Sequence, residues 1–379
     1  MIINTEFQII ILGANYAGLA AAGELRGKQV LLLDRNPIGG HQASTCAMWK
    51  NNVEALGANH AVLQTLDSWY IHIGEHTLNY PTPDYPICVL DHSLLCRYLF
   101  ARSGAVFRRE VIQSVTGNEV ITNYAHYRAP VIIEALGWQG LRKREEKRRG
   151  LTLAMETELP IEAKDIAVES TGLHVYFAPW RWGAGGGWVF PSGPTTRVGF
   201  GRFNTAGRID NILKDLLKDY DQTLAPRRYG NYIPWQLRES VIDGRYIIGD
   251  AAGQCLGFVG EGIRSAIYFG MAAARCADDV LDQRISASTG LGTYQRFVKA
   301  HRFYFGLFSF LQIILPRLPK SWLIKTARWL ESNGLGTKVL YWYARIFDIP
   351  ALMKSASIER NAVLLSANGS FQVSGADEA

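Results

Sequence analysis

The sequence lacks the features that define several simpler classes of protein. Its five cysteines form neither a CxxC pair nor an even set, so neither a disulfide scaffold nor a zinc ribbon is expected. No segment has the roughly 18 to 20 consecutive apolar residues that a membrane-spanning helix needs, and residues 1–7 do not resemble a signal peptide. With 48% hydrophobic and 20% charged residues, disorder is not expected either. We therefore expect a globular cytoplasmic protein without a metal site.

The net charge of +6 does not by itself indicate a nucleic-acid partner. Much of the excess lies in the run Arg142–Arg149, where two glutamates interrupt the bases. Such a run is typical of a solvated face, and no nucleic acid is expected.

The chain opens with the pattern of a βαβ unit. The apolar run Phe7–Leu12 predicts a parallel strand buried on both faces, and a glycine turn, 13–18, follows it. Residues 19–26 predict a helix, and Val30–Asp34 predicts the second strand. This order over roughly 30 residues is typical of a dinucleotide-binding fold.

The glycine turn predicts a pyrophosphate site, because a helix N-terminus offers unpaired amides and a positive dipole end. Gly13 permits the tight turn, Gly18 permits close packing of helix on strand, and Asp34 is placed to hold a ribose. Asn15 replaces the usual middle glycine, and we expect it to keep the turn because asparagine tolerates positive φ. An apolar strand–turn–helix without a ligand is the alternative.

A second motif lies about 230 residues further along the chain. A short buried strand, 246–248, ends in Gly249-Asp250, which places a carboxylate where a ribityl hydroxyl can be bound. The turn Gly260-Glu261-Gly262-Ile263 then precedes a long helix, Ile263–Leu281. The N-terminus of that helix would stabilise negative charge on a reduced isoalloxazine ring. Two such motifs favour FAD.

Together these segments resemble the FAD-binding signatures of the p-hydroxybenzoate hydroxylase-type flavoproteins. His92 stands where many members carry an arginine beside the pyrophosphate. The stretch 135–142 resembles that group's A-D-G-x-x-S-x-x-R segment, with Leu136 in the aspartate position. The cofactor-binding residues expected on this basis are Gly13, Asn15, Ala17, Gly18, Asp34, Arg35, His92, Gly249, Asp250, Gly260, Glu261, Gly262 and Ile263.

Within that group the sequence is most similar to the geranylgeranyl reductases. Their Y-x-W-x-F-P motif is matched at Trp188, Phe190 and Pro191, whereas Gly186 occupies the tyrosine position. A cysteine after the second strand lies near the flavin in that family, and Cys46 stands at the comparable place. The resemblance implies reduction of isoprenoid carbon–carbon double bonds by reduced FAD.

Trp188, Phe190 and Cys46 are therefore the predicted catalytic residues. Trp188 and Phe190 are two apart on a strand, so both point to one face and can line an apolar cavity. Sheet core is the alternative for this pair. The proton to the alkene would come from Cys46 or from a water, and a small buried hydrophobe is the alternative role of Cys46.

Residues 294–360 predict helices rich in aromatic residues. The segment Phe303–Leu315 is apolar nearly all round, and tryptophans and tyrosines interleaved with lysines and arginines follow it. This pattern is consistent with a lid over a lipid tunnel, with a helix in a membrane interface, or with a buried helical cap.

The predicted fold class is mixed α/β, a Rossmann-like FAD-binding domain interleaved with an antiparallel-sheet substrate domain and a C-terminal helical region. The FAD-binding domain is predicted in three parts, 1–80, 81–150 and 236–290. The substrate domain is predicted at 151–235, the helical region at 291–365 and a flexible tail at 366–379.

The leading functional hypothesis is a reductase that transfers hydride from flavin N5 to an isoprenoid or other long apolar substrate. Only one dinucleotide-type βαβ unit is visible, so we expect electrons from transiently bound NAD(P)H or from a donor protein such as reduced ferredoxin. The alternatives are an FAD-dependent monooxygenase or halogenase, a redox-neutral enzyme similar to lycopene cyclase, and a flavin carrier without activity. Peripheral contact with a membrane is a further expectation.

Overall fold

The structure, a computed structural model, describes residues 4–40, 44–141, 150–203, 208–355 and Ile358. The basic run Arg142–Arg149 and the predicted tail 366–379 lie outside the described residues.

A six-stranded sheet contains the predicted βαβ opening. Its strands in spatial order are Val241–Ile242, Arg245–Ile247, Val131–Glu134, Ile9–Leu12, Val30–Asp34 and Val106–Arg109. All neighbours are parallel except the first pair, and Ile9–Leu12 is fully buried between two layers. The first helix, Tyr16–Glu24, begins three residues earlier than predicted because the Asn15 side chain caps it.

Helix Tyr16–Glu24 packs against the long helix Ile263–Leu281, which has the predicted bounds. The two helices approach so closely that a Cβ added at Gly270 would lie 2.4 Å from the carbonyl oxygen of Ala17. This contact fixes the two helix N-termini relative to each other.

A seven-stranded sheet forms the second large layer. Its strands in order are Arg228–Pro234, Leu151–Leu159, Thr195–Arg202, Gly185–Ser192, Gly172–Tyr176, Ser68–Ile73 and His76–Pro81. The antiparallel sheet predicted for residues 152–203 is confirmed, and strands from outside this range extend both of its edges. Arg228–Pro234 pairs antiparallel with Leu151–Leu159 at one edge. Strand Ser68–Ile73 joins the other edge through a parallel pairing with Gly172–Tyr176, which brings in a hairpin from much earlier in the chain.

Helix Ile209–Lys218 covers one face of this sheet. Its Leu213 and Leu216 pack in one core with Val189 and Val198 of the strands. Trp188 and Phe190 lie on the opposite face, since side chains alternate along a strand.

Two smaller sheets complete the strands of the described residues. One consists of Asn4–Glu6, His126–Arg128, Glu119–Thr122 and Ile112–Thr116, and the other of Ala47–Trp49, Ile87–Leu90 and Val62–Leu66.

The remaining helices are mostly C-terminal. Those before residue 260 are Lys50–Leu56, His92–Ala101 and Pro179–Trp182, with 3-10 turns at Asn59–Ala61, Ala163–Ile166 and Gly249–Ala252. The C-terminal ones are Ala287–Ala300, Arg302–Ile314, Lys320–Ser332, Leu335–Ala344 and Ile349–Lys354, with a 3-10 turn at Leu315–Arg317. Within the described ranges, no helix combines the length and apolar character needed to cross a membrane.

Candidate functional site

The first glycine turn requires glycine at both predicted positions. Gly13 has φ +107°, and a Cβ there would lie 2.3 Å from the carbonyl oxygen of Ala135. A Cβ at Gly18 would lie 1.9 Å from the carbonyl oxygen of Gly13. The backbone is therefore bare at the start of the first helix, where a diphosphate could approach closely.

Asn15 keeps this turn for a different reason from the one expected. The prediction of positive φ at Asn15 is wrong, because its φ is −111° and its side chain caps the helix by accepting a hydrogen bond from the Tyr16 amide. Asparagine is a favoured N-cap residue, since its side-chain oxygen satisfies an amide that has no partner inside the helix.

The Asp34 carboxylate lies at the end of its strand and orders the turn beside it. Its two oxygens accept hydrogen bonds from the amides of Ala14 and Asn36, each at 2.8 Å. Carboxylate oxygens can accept further hydrogen bonds, so this contact is compatible with the predicted role toward a ribose. Arg35 is exposed to solvent.

The second motif meets the first in space. Gly249, with φ +63°, packs on Ala17, and a Cβ there would lie 3.1 Å from that of Ala17. Burial raises the pKa of Asp250 to about 6, while Arg238 lowers it. The Asp250 carboxylate accepts no hydrogen bond from any residue that the structure describes. It is an acceptor held near the first helix without a protein donor.

The third segment places another helix N-terminus beside Asp250. Gly262 precedes Ile263, the first residue of the 19-residue helix, and a Cβ at Gly262 would lie 3.6 Å from Oδ1 of Asp250. Gly260 has φ +67° with open space around it, and Glu261 pairs with Arg264 at 2.9 Å. One helix N-terminus therefore lies beside the Asp250 carboxylate, and the first helix packs on the preceding residue, Gly249.

These residues fit FAD. The bare turn at Gly13 and Gly18 would hold the diphosphate, the unpartnered Asp250 carboxylate would accept from the ribityl chain, and the amides after Gly262 would face the ring.

Cys46 is buried at the wall of a cavity of about 590 Å³. Burial raises the pKa of its thiol to about 12, whereas a hydrogen bond from Tyr16 and the charge of Arg197 lower it. Cys46 is therefore a protonated thiol at neutral pH, and its thiolate would have nearby stabilising groups.

Tyr16 connects Cys46 to His92. The Tyr16 hydroxyl lies 2.6 Å from Nδ1 of His92, which is buried at the start of helix His92–Ala101 and also lines the cavity. Cys96 lies on the far side, with its sulfur 3.7 Å from the same nitrogen and 3.8 Å from Oδ1 of Asn15.

A buried network of charged side chains forms another part of this wall. Arg197 donates to Glu156 at 2.8 Å and to Glu158 at 3.2 Å, and Thr45, next to Cys46, donates to Glu156 at 2.9 Å. Tyr229 donates to Glu158 at 3.0 Å and stacks under the guanidinium of Arg197. Burial raises the pKa of Glu156, although Arg197 opposes this. The cavity is thus polar on this side.

Trp188 and Phe190 share one face of their strand, but neither is among the residues that line this cavity. The Trp188 indole donates to Glu156 at 3.3 Å and covers Gly199, and Phe190 packs against the main core. Their catalytic roles remain predictions.

Sequence reasoning missed Tyr16, Glu156 and Arg197. The strand Leu151–Leu159 has two glutamates two residues apart, and Glu158 lies directly opposite Arg197 in the antiparallel register. Charged residues inside otherwise apolar strands are a usable signal, because burial of a charge requires a partner. Tyr16 had no comparable signal.

Comparison with known proteins finds one curated protein that is similar in sequence and solved structures that share the fold. No family model matches the chain. A digeranylgeranylglycerophospholipid reductase from Methanopyrus kandleri is 24% identical over 334 residues, which is 76% of this chain and 81% of that protein.

Two solved structures share the fold. A geranylgeranyl bacteriochlorophyll reductase-like protein from Thermoplasma acidophilum superposes with a TM-score of 0.75 at 16% identity, covering 96% of this chain and 100% of the other. A flavin-dependent brominase superposes with a TM-score of 0.69 at 15% identity, covering 95% and 98%.

The fold and these similarities define an FAD-dependent oxidoreductase. Within that class, the chain is similar to proteins named as geranylgeranyl-type reductases, as the sequence motifs indicated.

Proposed function

We propose that this enzyme reduces carbon–carbon double bonds of an isoprenoid or another long apolar chain that has a polar head. The observation that carries the proposal is a protonated, buried Cys46 at the wall of the cavity, in a chain related to a lipid reductase. Reduced FAD, when bound, would supply hydride from N5 to one carbon of the double bond.

Cys46 would supply the proton to the other carbon, which balances the reduction. A thiol whose pKa is about 12 holds its proton at neutral pH, and Tyr16 and Arg197 would stabilise the thiolate that remains. The Tyr16 hydroxyl, 2.6 Å from Nδ1 of His92, would return a proton to the sulfur and take one in turn from His92, which solvent in the cavity would reprotonate.

The substrate's polar head would face the charged wall. Arg227 lines the cavity and makes no ion pair with any residue in the described part of the chain, so it is available to a negatively charged head. The name of the Methanopyrus relative supports a phospholipid as the substrate class.

Electrons would come from transiently bound NAD(P)H or from reduced ferredoxin. Anaerobic stopped-flow mixing with NADH, NADPH and reduced ferredoxin would identify the donor by bleaching of the flavin absorbance.

Anaerobic single turnover with chemically reduced enzyme and a geranylgeranylated phospholipid tests the reaction. We expect flavin reoxidation and a product heavier by two hydrogens per bond reduced. An unchanged mass would indicate redox-neutral chemistry, and substrate-coupled oxygen uptake in air would indicate a monooxygenase or halogenase.

Cys46→Ala is expected to slow saturation by at least about 100-fold while the protein keeps its FAD. Cys88→Ala is the matched control, because Cys88 is also buried and lies opposite Met48 in the neighbouring strand. Equal rates for the wild type and Cys46→Ala would exclude Cys46 as the donor.

A further inference from the structure

The C-terminal helices expose large aromatic side chains. Trp322 and Trp329 of helix Lys320–Ser332 are 67% and 56% exposed, and Phe303 and Phe310 of helix Arg302–Ile314 are 59% and 57% exposed. Isolated apolar residues are common on protein surfaces, but four large aromatic residues on two consecutive helices need an explanation.

Helix Lys320–Ser332 has apolar residues on two opposite sides, one facing the protein and one facing outward. Leu323 and Ala327 face the hairpin Ser68–Pro81, where Leu323 is buried and the Ala327 carbonyl accepts from the Tyr80 hydroxyl. Trp322 and Trp329 are seven residues apart, so they project together on the other side, with exposed Lys325 between them. Packing against the body of the protein uses other residues of this helix, so it does not explain why Trp322 and Trp329 are apolar.

Helix Arg302–Ile314 repeats this arrangement. Phe305 and Phe308 are buried against the body of the protein, whereas Phe303 and Phe310 are again seven residues apart and exposed. Residues 315–319 connect the two helices directly.

The positive charge of the protein is concentrated in the same region. Residues 302–345 contain seven lysines and arginines and a single acidic residue, Glu331. The rest of the chain has 33 basic and 33 acidic residues, so this region accounts for the whole net charge of +6. Lys325 is exposed, as is Lys338 of the next helix, Leu335–Ala344, which packs against Lys320–Ser332. Neither lysine makes an ion pair with any residue that the structure describes.

We infer that the outward side of these helices is a docking surface for an anionic lipid bilayer. We call it the basic aromatic surface, made of Phe303, Phe310, Trp322, Trp329, Lys325 and Lys338. Aromatic rings enter the boundary between head groups and acyl chains, and lysines beside them are attracted to anionic head groups. An acidic protein partner would also be attracted by the positive charge. It would not explain why each helix has two exposed aromatic residues seven positions apart on one side.

Flotation of the FAD-loaded full-length protein with lipid vesicles tests this inference independently of the proposed reaction. We expect the protein to float with vesicles of phosphatidylglycerol and phosphatidylcholine at low salt, and to remain free with phosphatidylcholine alone. At about 1 M salt the Debye length falls to roughly 3 Å, and binding should weaken strongly.

Two sets of variants separate the aromatic and the charge contributions. Trp322→Ala with Trp329→Ala, and separately Lys325→Glu with Lys338→Glu, should each lower the partition coefficient at least about tenfold. Tyr124→Ala is the control, since Tyr124 is an exposed aromatic residue outside this region and should not matter. Circular dichroism and FAD content verify that each variant is folded.

The inference is overturned if the wild type does not float with anionic vesicles at low salt. It is also overturned if both double variants float as well as the wild type, because the surface would then not be the site of binding.

Discussion

The hydroxyl of Tyr16 lies 2.6 Å from Nδ1 of His92, and the same side chain lowers the pKa of the Cys46 thiol, which burial raises. Tyr16 is the first residue of the helix that would hold the diphosphate. The cofactor turn therefore contributes directly to the surroundings of the proposed proton donor.

Tyr16→Phe is expected to raise the pKa of the Cys46 thiol further, because the hydrogen bond that stabilises the thiolate is lost. Alkylation of Cys46 by iodoacetamide at alkaline pH, followed by peptide mass spectrometry, should be slower than in the wild type. Tyr124→Phe is the control for a tyrosine hydroxyl at the surface. Unchanged alkylation in Tyr16→Phe would show that Tyr16 does not act on this thiol.

Arg197→Met is expected to destabilise the protein by about 3–5 kcal/mol, because it leaves the carboxylate of Glu156 buried without its charged partner. The double variant Glu156→Gln with Arg197→Met should recover much of that loss, since no buried charge remains. Urea unfolding of the four proteins in this cycle measures the coupling. A double variant whose destabilisation equals the sum of the single ones would contradict a coupled pair.

The sequence was informative where glycine and apolar residues dictate the backbone. Gly13 and Gly18 permit contacts that no side chain allows, and the run Ile9–Leu12 has to be buried on both faces. Helix Ile263–Leu281 was predicted with its observed bounds because a glycine turn precedes a long pattern of apolar residues. Local chemistry determines these features, so they can be inferred from short segments.

Features that depend on distant segments were not predictable in this way. The pairing of strand Ser68–Ile73 with Gly172–Tyr176 and the ion pair of Glu156 with Arg197 join residues that are far apart in the chain. The conformation of Asn15 was also misjudged, since two uses of asparagine, positive φ and N-capping, compete in such a turn.

Gly18→Ala is expected to prevent stable FAD binding, because its Cβ would overlap the carbonyl oxygen of Gly13 and push the helix away from the strand. Gly23→Ala on the same helix is the matched control, as a Cβ there meets nothing within 4 Å. It should be neutral or stabilise the protein by up to about 1 kcal/mol, since alanine favours a helix. Flavin content after purification and thermal unfolding of both variants measure the effect. Normal flavin content in Gly18→Ala would contradict the proposed diphosphate site at this glycine turn.

Asp250→Asn is expected to change stability and cofactor binding in opposite directions. The folded-state pKa of Asp250 is about 6, above its ordinary value of 3.8, so the folded FAD-free protein binds this proton more readily than the unfolded chain. The stability of the FAD-free wild type should therefore fall as pH rises from about 4 to 6, by at most about 3 kcal/mol. The variant lacks the carboxylate, so it should lose less stability over this range and be the more stable protein at pH 8.

Its affinity for FAD should nevertheless be lower, because an amide is a weaker acceptor than a carboxylate for the ribityl hydroxyls. Urea unfolding at pH 4 and 8, with Asp165→Asn as an exposed control, measures the first effect, and flavin titration measures the second. If the free energies of unfolding of the wild type and Asp250→Asn changed with pH in parallel, burial would not raise the pKa of this carboxyl group. Its assignment as the ribityl acceptor would then lose the support that its burial gives.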